Sequence, residues 1–553
     1  MRHTIITAVV ALMAFITAQA QTAIEIVYSG ASASVSIPAG VAGVTAAVNG
    51  ANVTILSTTT TNEYVYRVRG QSPDGSLLIS GSYKLQLQLA GLDLTNAHGG
   101  AAIDVECGKR IAVELMAGTQ NSLADAAGTQ KGAFYFKGHA EFEGSGTLSV
   151  TGRAKHAICA KEYIELKSST GTINVLGAVS DGIHCGKGKV NDDNNYFLMK
   201  GGVVNIMNVA GDGIDSDDYG VLTIEGGALS VNVGAGATAL KADSTVTIRG
   251  GLINLSVEGD DSEAIRARYA VSIAGGTTTI AVKGDGSKGI KAKRYETTDA
   301  TATVRNGGFL TIGGGTTTID VQGGNLTNPD TGDTDKCMAA SVDADMQMTD
   351  GTLSLTAMGP EARTLNVKGT QTLSGGQLEE MRSPWAVDTR DYRYDMTAYV
   401  DVSLDGMPLA DYSRVAVGAF VGNRCVGFAR FSTADYGTLR IRSNESTAQT
   451  VGFCLYDYET GITHALTPSQ EVVFTPDGCV GQPGDPLRLA YTTPQNGDVN
   501  GDRLLNVTDV TTLINYILGK QPAAFDVRLA DLNGDGLINV TDVTQVINAI
   551  LGK

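Results

Sequence analysis

The sequence predicts a mostly β chain in three parts. A parallel β-helix, a solenoid of stacked coils, comes first. An antiparallel β-sandwich follows, and a small all-α pair of loop–helix units ends the chain. Three observations carry this. A short pattern recurs about every 25 residues up to about residue 380, the texture changes at Trp385, and two near-identical patterns lie 33 residues apart at the C-terminus. Composition agrees, with 69 glycines, 12 prolines and 1 tryptophan in 553 residues. Glycine supplies the positive φ angles that tight turns between short strands need. Acidic residues outnumber basic ones 58 to 41, for a net charge of -17. That balance argues against nucleic-acid binding and suits cation binding.

The first element reads as a signal peptide over 1–20. Arg2 and His3 form a short polar start, an apolar run extends from Ile5 to Ile16, and Ala18-Gln19-Ala20 is a small-residue cleavage site. The mature chain then begins near Gln21, and the protein is expected to be secreted. The apolar run is too short to span a bilayer. No cysteine follows it, which argues against lipid attachment, and no other stretch approaches membrane-spanning length. The seven cysteines are an odd number with no C-x-x-C. Cys425 and Cys454 fall in one domain and either pair or serve as small buried hydrophobes.

The repeat has two components. One is a polar residue, then Gly or Ala, an aliphatic residue, any residue and a small one. It starts at His156, Asp181, Asp212, Thr238, Glu263 and Lys288, at intervals of 25, 31, 26, 25 and 25 residues. Looser copies start at Ala101, Gly132 and Lys336. The other is a Gly-Gly turn followed by alternating apolar residues, at Gly201, Gly226, Gly250, Gly275 and Gly314. Period-two alternation rich in Val, Ile and Thr argues strand. A propeller blade needs about 40 residues and a leucine-rich repeat shows a Leu-Asn ladder. A parallel β-helix fits instead, each coil stacking on the next at about 4.8 Å. About nine coils make a rod roughly 45 Å long. Residues 21–98 are expected to cap the N-terminal edge, with the helix proper over 99–380. Insertions at 188–196 and 325–336 carry Asp192, Asp193, Asn194, Asp330, Asp333 and Asp335. Loops of this kind project from one face of a solenoid.

Residues 385–490 are Tyr-rich, with alternating segments from Met396 and Val415 and turns at Asp405-Gly406 and Gly422-Asn423. That pattern reads as an antiparallel β-sandwich. A linker over 491–497 leads to the last module, 498–553.

That module repeats one calcium-loop pattern. Asp498, Asn500, Asp502, Asn506 and Asp509, then Asp531, Asn533, Asp535, Asn539 and Asp542, fill loop positions 1, 3, 5, 9 and 12. Leu504 and Leu537 take position 7, which needs only a backbone carbonyl. Ca2+ is a hard cation that takes six to eight oxygens, and this pattern supplies them. Gly536 sits at the sharp-turn position 6, where the first loop has Arg503, and position 12 is Asp rather than the longer Glu. Helices are expected from Val510 to Leu518 and from Val543 to Leu551. The pair is EF-hand-like and resembles type I dockerins, the modules that plug into cohesin domains. The resemblance implies Ca2+-dependent folding and a cohesin partner. It assigns partner choice to loop positions 10 and 11, here Val507-Thr508 and Val540-Thr541. Identity of the two pairs suggests that either copy can face the partner. Basic residues common later in the family's helices are absent, which leaves the cohesin type open.

The repeat region resembles a secreted, cellulosome-associated carbohydrate-binding family. The matching runs are Gly132-Ala-Phe-Tyr-Phe, Gly146-Thr-Leu-Ser-Val-Thr-Gly, Lys155-His-Ala-Ile-Cys, Ser180-Asp-Gly-Ile-His and Gly211-Asp-Gly-Ile-Asp. The resemblance implies a right-handed parallel β-helix of the pectate-lyase type that holds acidic polysaccharide such as polygalacturonate and carries calcium. The residues have their own reading. With the aliphatic residue inward, alternation turns outward the pairs Cys159/Lys161, His184/Gly186, Asp215/Asp217, Lys241/Asp243, Arg266/Arg268 and Lys291/Lys293. The face passes from acidic to basic. Asp212, Asp215 and Asp217 are candidate calcium ligands, with Asp218 crowding the same coil. Lys241, Arg266, Arg268, Lys291 and Lys293 are candidate contacts for a polyuronate. A solvated face balanced by neighbouring countercharges is the alternative.

No catalytic residue is assigned. A lyase needs a Lys or Arg base beside a calcium-bridged uronate, and Lys241 beside the Asp212 coil fits that placement. The basic strip, however, reads as a ladder rather than a unique constellation. His156 and His184 sit in successive coils but lack a third ligand in the pattern. No G-x-S-x-G or H-E-x-x-H occurs. Three functions follow: a secreted or surface-associated non-catalytic carbohydrate-binding protein recruited through its dockerin, a pectate-type lyase, or a structural adhesin.

Overall fold

The computed structural model describes residues 23–186, 195–298, 303–359, 361–385, 387, 392–409, 412, 415–430, 436–458, 460–493, 495–501, 504–522 and 525–553. The leader, the acidic part of the 188–196 insertion, Asp502 and Arg503 lie outside these residues. The chain is mostly β, with both α-helices in the C-terminal module. Two compact units divide it, 1–383 and 384–553.

In the first unit each repeat supplies strands to three parallel ladders. One ladder runs through His156–Ala160, Ile183–Cys185, Ile214–Ser216, Thr238–Ala242, Glu263–Ala267, Lys288–Ala292 and Met338–Val342. A second runs through Ile164–Leu166, Tyr196–Met199, Val221–Ile224 and Thr245–Ile248. The third runs through Thr172–Ala178, Val203–Val209, Ala228–Val233 and Leu252–Val257. Partners are one coil apart, so the repeat length is the pairing interval. The region 24–95 takes part as well. Ile24–Ser29 and Asn52–Ser57 form antiparallel hairpins with Ser32–Ser36 and Val44–Asn49, then pair in parallel with the strands that follow.

The repeat sequence explains the stacking. Ile158, Ile183, Ile214, Leu240, Ile265 and Ile290 are all buried and stand on one another in register. Each buried aliphatic side chain is worth about 1.5–3 kcal/mol. Phe134, Phe136 and Phe142 fill one coil, with the first two rings 4.3 Å apart and both edge-on to Phe142. The Gly-Gly turns are equally specific. Gly251 has φ +95°, and a Cβ there would meet the Gly227 carbonyl oxygen at 2.8 Å. Such close approach admits only glycine.

The second unit begins with a largely antiparallel sheet system. Tyr394–Leu404 pairs antiparallel with Gly437–Ser443, and Gly452–Asp457 pairs with both Val415–Val421 and Ile462–Pro468. Tyr394–Leu404 also pairs in parallel with Cys479–Val480 and Leu487–Tyr491. Alternation has period two in either direction, so sequence pattern does not distinguish the two pairings. Val400, Val417, Leu439, Phe453 and Leu489 lie in its core. No disulfide joins Cys425 to Cys454.

The helices are α1 (Val507–Ile517) and α2 (Val540–Ile550). Both start three residues before the sequence expectation. Asn506 and Asn539 cap them, and Asp509 and Asp542 complete capping boxes, which pulls the first turn back to the loop. Val510, Leu513, Val543 and Val546 pack with Val499 and Ala530 between them. No helix among the described residues is long and apolar enough to cross a membrane.

A candidate binding face and two candidate calcium loops

The first ladder carries the candidate face. Cys159, His184, Asp215, Lys241, Arg266 and Lys291 oppose one another in sequence, coil by coil. The column read from alternation is therefore in register. Strict alternation puts His156, Asp181 and Asp212 on the inner side with the aliphatic residues. They contact the outer column instead. The His156 ring stacks on His184 at 4.2 Å, Asp181 Oδ2 lies 3.1 Å from His184 Nδ1, and Asp212 Oδ2 accepts from Lys241 Nζ at 2.8 Å. The first and fourth residues of each repeat thus share one face. The aligned runs His156-Ala-Ile-Cys, Asp181-Gly-Ile-His and Asp212-Gly-Ile-Asp carried that signal, but inward and outward were assigned by alternation alone.

Electrostatics divide the face. Lys241 Nζ sits 3.3 Å from Asp215 Oδ1 as well as on Asp212. Burial opposes its charge, yet the Asp215 and Asp212 carboxylates hold its pKa well above the usual lysine range. The three-aspartate calcium site expected at this coil is therefore shared with an internal ammonium on Asp212 and Asp215; Asp217 is half-buried and Asp218 adopts φ +54°. Burial likewise disfavours charge on His184, but hydrogen bonds to Asp181 and Asp215 push it up to about 9. Burial of Asp181 is outweighed by hydrogen bonds from His156 and His184, which hold its carboxyl below the usual range. Burial pushes His156 down.

Farther along, Arg266 lies 3.7 Å from Glu263 and Arg268 lies 3.4 Å from Asp243. Lys293 is exposed. Burial, then the neighbouring Lys288, pushes Lys291 down. On the other side of the histidines, Lys131, Lys155 and Lys161 rim a small basin of about 30 Å³ floored by His156 and His184. Of these lysines, the sequence pattern singled out only Lys161.

The second C-terminal loop is described throughout. Asp531 accepts the N–H groups of Gly534 at 2.8 Å, Asp535 at 3.2 Å and Gly536 at 2.8 Å, so the loop winds about its first carboxylate. Gly536 at position 6 has φ +78°, the left-handed turn that the position requires. Asp542 at position 12 is fully buried and accepts from Leu532 and Asn539 N–H. Asp509 repeats this in the first loop with Asn500 and Asn506, and Asp498 is 2% exposed. An all-oxygen set with buried carboxylates fits a hard divalent cation. Leu504, Val507, Leu537 and Val540 are all exposed, so the residues at loop positions 7 and 10 present two equivalent apolar patches.

Residues 49–267 match the model of a family described as carbohydrate-binding domain-containing protein, and residues 496–551 match the type I dockerin domain. The chain thus carries a carbohydrate-binding domain and a type I dockerin. No curated protein matches. Among solved structures, a polysaccharide lyase-like protein from C. thermocellum, as a gadolinium derivative, is similar at 20% identity. The match covers 46% of this chain and 97% of that one, with a TM-score of 0.38.

Proposed function

We propose that this chain is a secreted, non-catalytic carbohydrate-binding protein for acidic polysaccharide, carried to a cohesin-bearing complex or cell surface by a calcium-dependent dockerin. In this reading 1–20 is a signal peptide and 21–98 caps a right-handed parallel β-helix over 99–380. Residues 385–490 form a β-sandwich, 491–497 a linker and 498–553 the dockerin. Ca2+ is held by the two C-terminal loops, and cohesin by Val507, Thr508, Val540 and Thr541.

One observation carries the glycan reading. Lys241, Arg266 and Lys291 form an in-register column, one cation per coil. Strand spacing of about 4.8 Å sets their separation, which suits the regularly spaced carboxylates of a linear polyuronate. Lys131, Lys155 and Lys161 extend the positive surface past the histidines. The same geometry disfavours a lyase. A lysine base must lose its proton, and the Asp212 and Asp215 carboxylates hold Lys241 charged.

The test is retention on a polygalacturonate affinity gel. Arg266→Ala with Lys291→Ala leaves the Asp212–Lys241 pair intact and is expected to abolish most retention, and adding Lys241→Ala should remove the rest. Unchanged retention of the triple variant sinks the proposal. Unsaturated product absorbing in the ultraviolet after incubation with pectate would establish the lyase instead.

A further inference from the structure

We infer that Tyr219 and Tyr269 are the ring-stacking contacts of the glycan face, taking the C–H faces of pyranose rings while the adjacent cations take the carboxylates. This rests on the reading of that face as polyuronate-binding and adds to it the residues that would recognise a sugar ring rather than a charge.

The two tyrosines stand apart from the other aromatic residues of the first unit. Among its described Phe and Tyr side chains they alone are exposed, at 60% and 47%. The phenylalanines of the core pack on one another, and on the second ladder Tyr163 is stacked between His139 at 4.3 Å and Tyr196 at 4.4 Å. Tyrosine offers a large, rigid apolar face, and leaving it in water forgoes the gain from burying it.

Both lie at one corner of the stack. Tyr219 precedes strand Val221–Ile224 and Tyr269 joins strand Glu263–Ala267 to Ala270–Val282. Ser244 N–H donates to the Gly220 carbonyl at 2.9 Å and Tyr269 N–H to the Ser244 carbonyl at 2.8 Å. Gly220, Ser244 and Tyr269 therefore hold the same place in three successive coils, with Tyr219 one residue from that line. Two coil spacings, about 9.6 Å, separate the tyrosines along the stack. One 1,4-linked pyranose advances a chain by close to one coil spacing, so a chain lying along the stack sets every second ring over a tyrosine. Lys241 belongs to the intervening coil, and Arg266 and Arg268 to the coil of Tyr269. Cations and rings thus run side by side in the same direction.

The backbone fixes both residues. Asp218 and Tyr219 adopt φ +54° and +65°, left-handed values that a bulky side chain disfavours. Asn195 Nδ2 holds the Asp218 carbonyl at 3.0 Å, and Gly220 N–H donates to the Asp217 carbonyl at 3.0 Å. Glycine at 219 would remove the strain, and the exposed ring repays little of it by packing. Strain kept under such constraint is characteristic of ligand contacts. At the other position the Tyr269 carbonyl accepts from Gly308 at 2.8 Å and Phe309 at 3.1 Å, and its ring meets Phe309 at 69° and 5.9 Å. Contacts ordered before binding cost less entropy on binding.

The test uses the full chain in excess Ca2+, titrated calorimetrically with oligogalacturonate at low and high salt. Tyr219→Ala and Tyr269→Ala are each expected to weaken binding about tenfold, and the pair about 100-fold. The loss should be equal at both salts, because ring stacking is not screened, whereas Arg266→Ala with Lys291→Ala should reduce the salt dependence itself. Tyr219→Phe and Tyr269→Phe should bind as the wild type does. Tyr219→Gly should lose affinity as the alanine variant does while raising the thermal midpoint of the β signal. Leu56→Ala, at an exposed residue near the N-terminal end, should leave binding unchanged. Wild-type affinity in the double alanine variant, with binding still lost in the Arg266 and Lys291 variant, overturns this inference and leaves the glycan reading standing. Phenylalanine variants as weak as the alanine ones also overturn it, by assigning the contact to the hydroxyls. A wild-type chain that does not bind oligogalacturonate brings down both.

Discussion

The stacked coils and the C-terminal module are both repeats, but each copy meets its neighbour differently. In the coils, every repeat passes its apolar face to the next, and Ile158, Ile183, Ile214, Leu240, Ile265 and Ile290 extend one core along the stack. In the module, the two copies pack against each other. Val499, Val510, Leu513, Ala530, Val543 and Val546 supply the buried apolar residues described there. A module of this size has a marginal core. The carboxylates show the same contrast. On the coils Asp181, Asp212 and Asp215 already have His156, His184 and Lys241 beside them. In the module Asp509 and Asp542 are buried against backbone N–H groups. One region carries its countercharges; in the function proposed above, the other takes them up as Ca2+.

Chelation should break the comparison most sharply. Two calcium loops at a hundredfold excess over Kd contribute about 2.7 kcal/mol each. That is a large share of any small module's stability. Chelator added to the full chain is expected to open 498–553 to protease and remove the helical circular dichroism of α1 and α2. The β signal of 23–383 should persist. Loss of both signals together, or of neither, would show that the two regions do not differ in this way.

The converse experiment targets the coil core. Phe136 is fully buried against Phe134 and Phe142. Phe136→Ala should cost about 3–5 kcal/mol. The effect should appear in the thermal transition of the β signal, while Ca2+-dependent helix content stays at the wild-type level. Phe136 was legible in advance only as part of a looser repeat at Gly132, because its neighbours lack the Gly-Ile core of the later copies.

The same division governs what the sequence made visible. Coil spacing, the Gly-Gly turns and the outward column were legible because each rests on a local rule repeated many times. The helix starts were misplaced by three residues, because Asn506 and Asn539 were read only as calcium ligands and not also as caps. His156 and Asp181 were missed for a subtler reason. Alternation predicts direction inside a strand, whereas His156 is the first residue of its strand and Asp181 precedes the strand of its repeat. His156 meets the fourth residue of the next repeat and Asp181 that of its own, and both contacts are to His184. Lys131 and Lys155 escaped because they lie just outside the repeat that names the column.

A smaller effect sharpens the contrast in carboxylates. Asp104 stands in the outward column opposite Tyr135. Its Oδ1 is buried without a hydrogen-bond partner among the described residues. Burial, and then the nearby Glu106, push its pKa from 3.8 to about 6. A raised carboxyl pKa means that the folded chain holds the proton more tightly than the unfolded one. The associated stability is present below pH 3.8 and is lost as pH rises through about 6. Above that, ionised Asp104 opposes folding. Solvent and the Lys131 and Lys137 charges screen it, so the cost is about 1 kcal/mol. Asp104→Asn is therefore expected to raise the denaturant midpoint of the β signal at pH 7, and the gain should vanish near pH 4. A gain that persists at pH 4 would trace to packing rather than charge. A loss at pH 7 would mean that Asp104 has a cationic partner, and that this carboxylate, like those of the C-terminal loops, depends on a charge it does not carry itself.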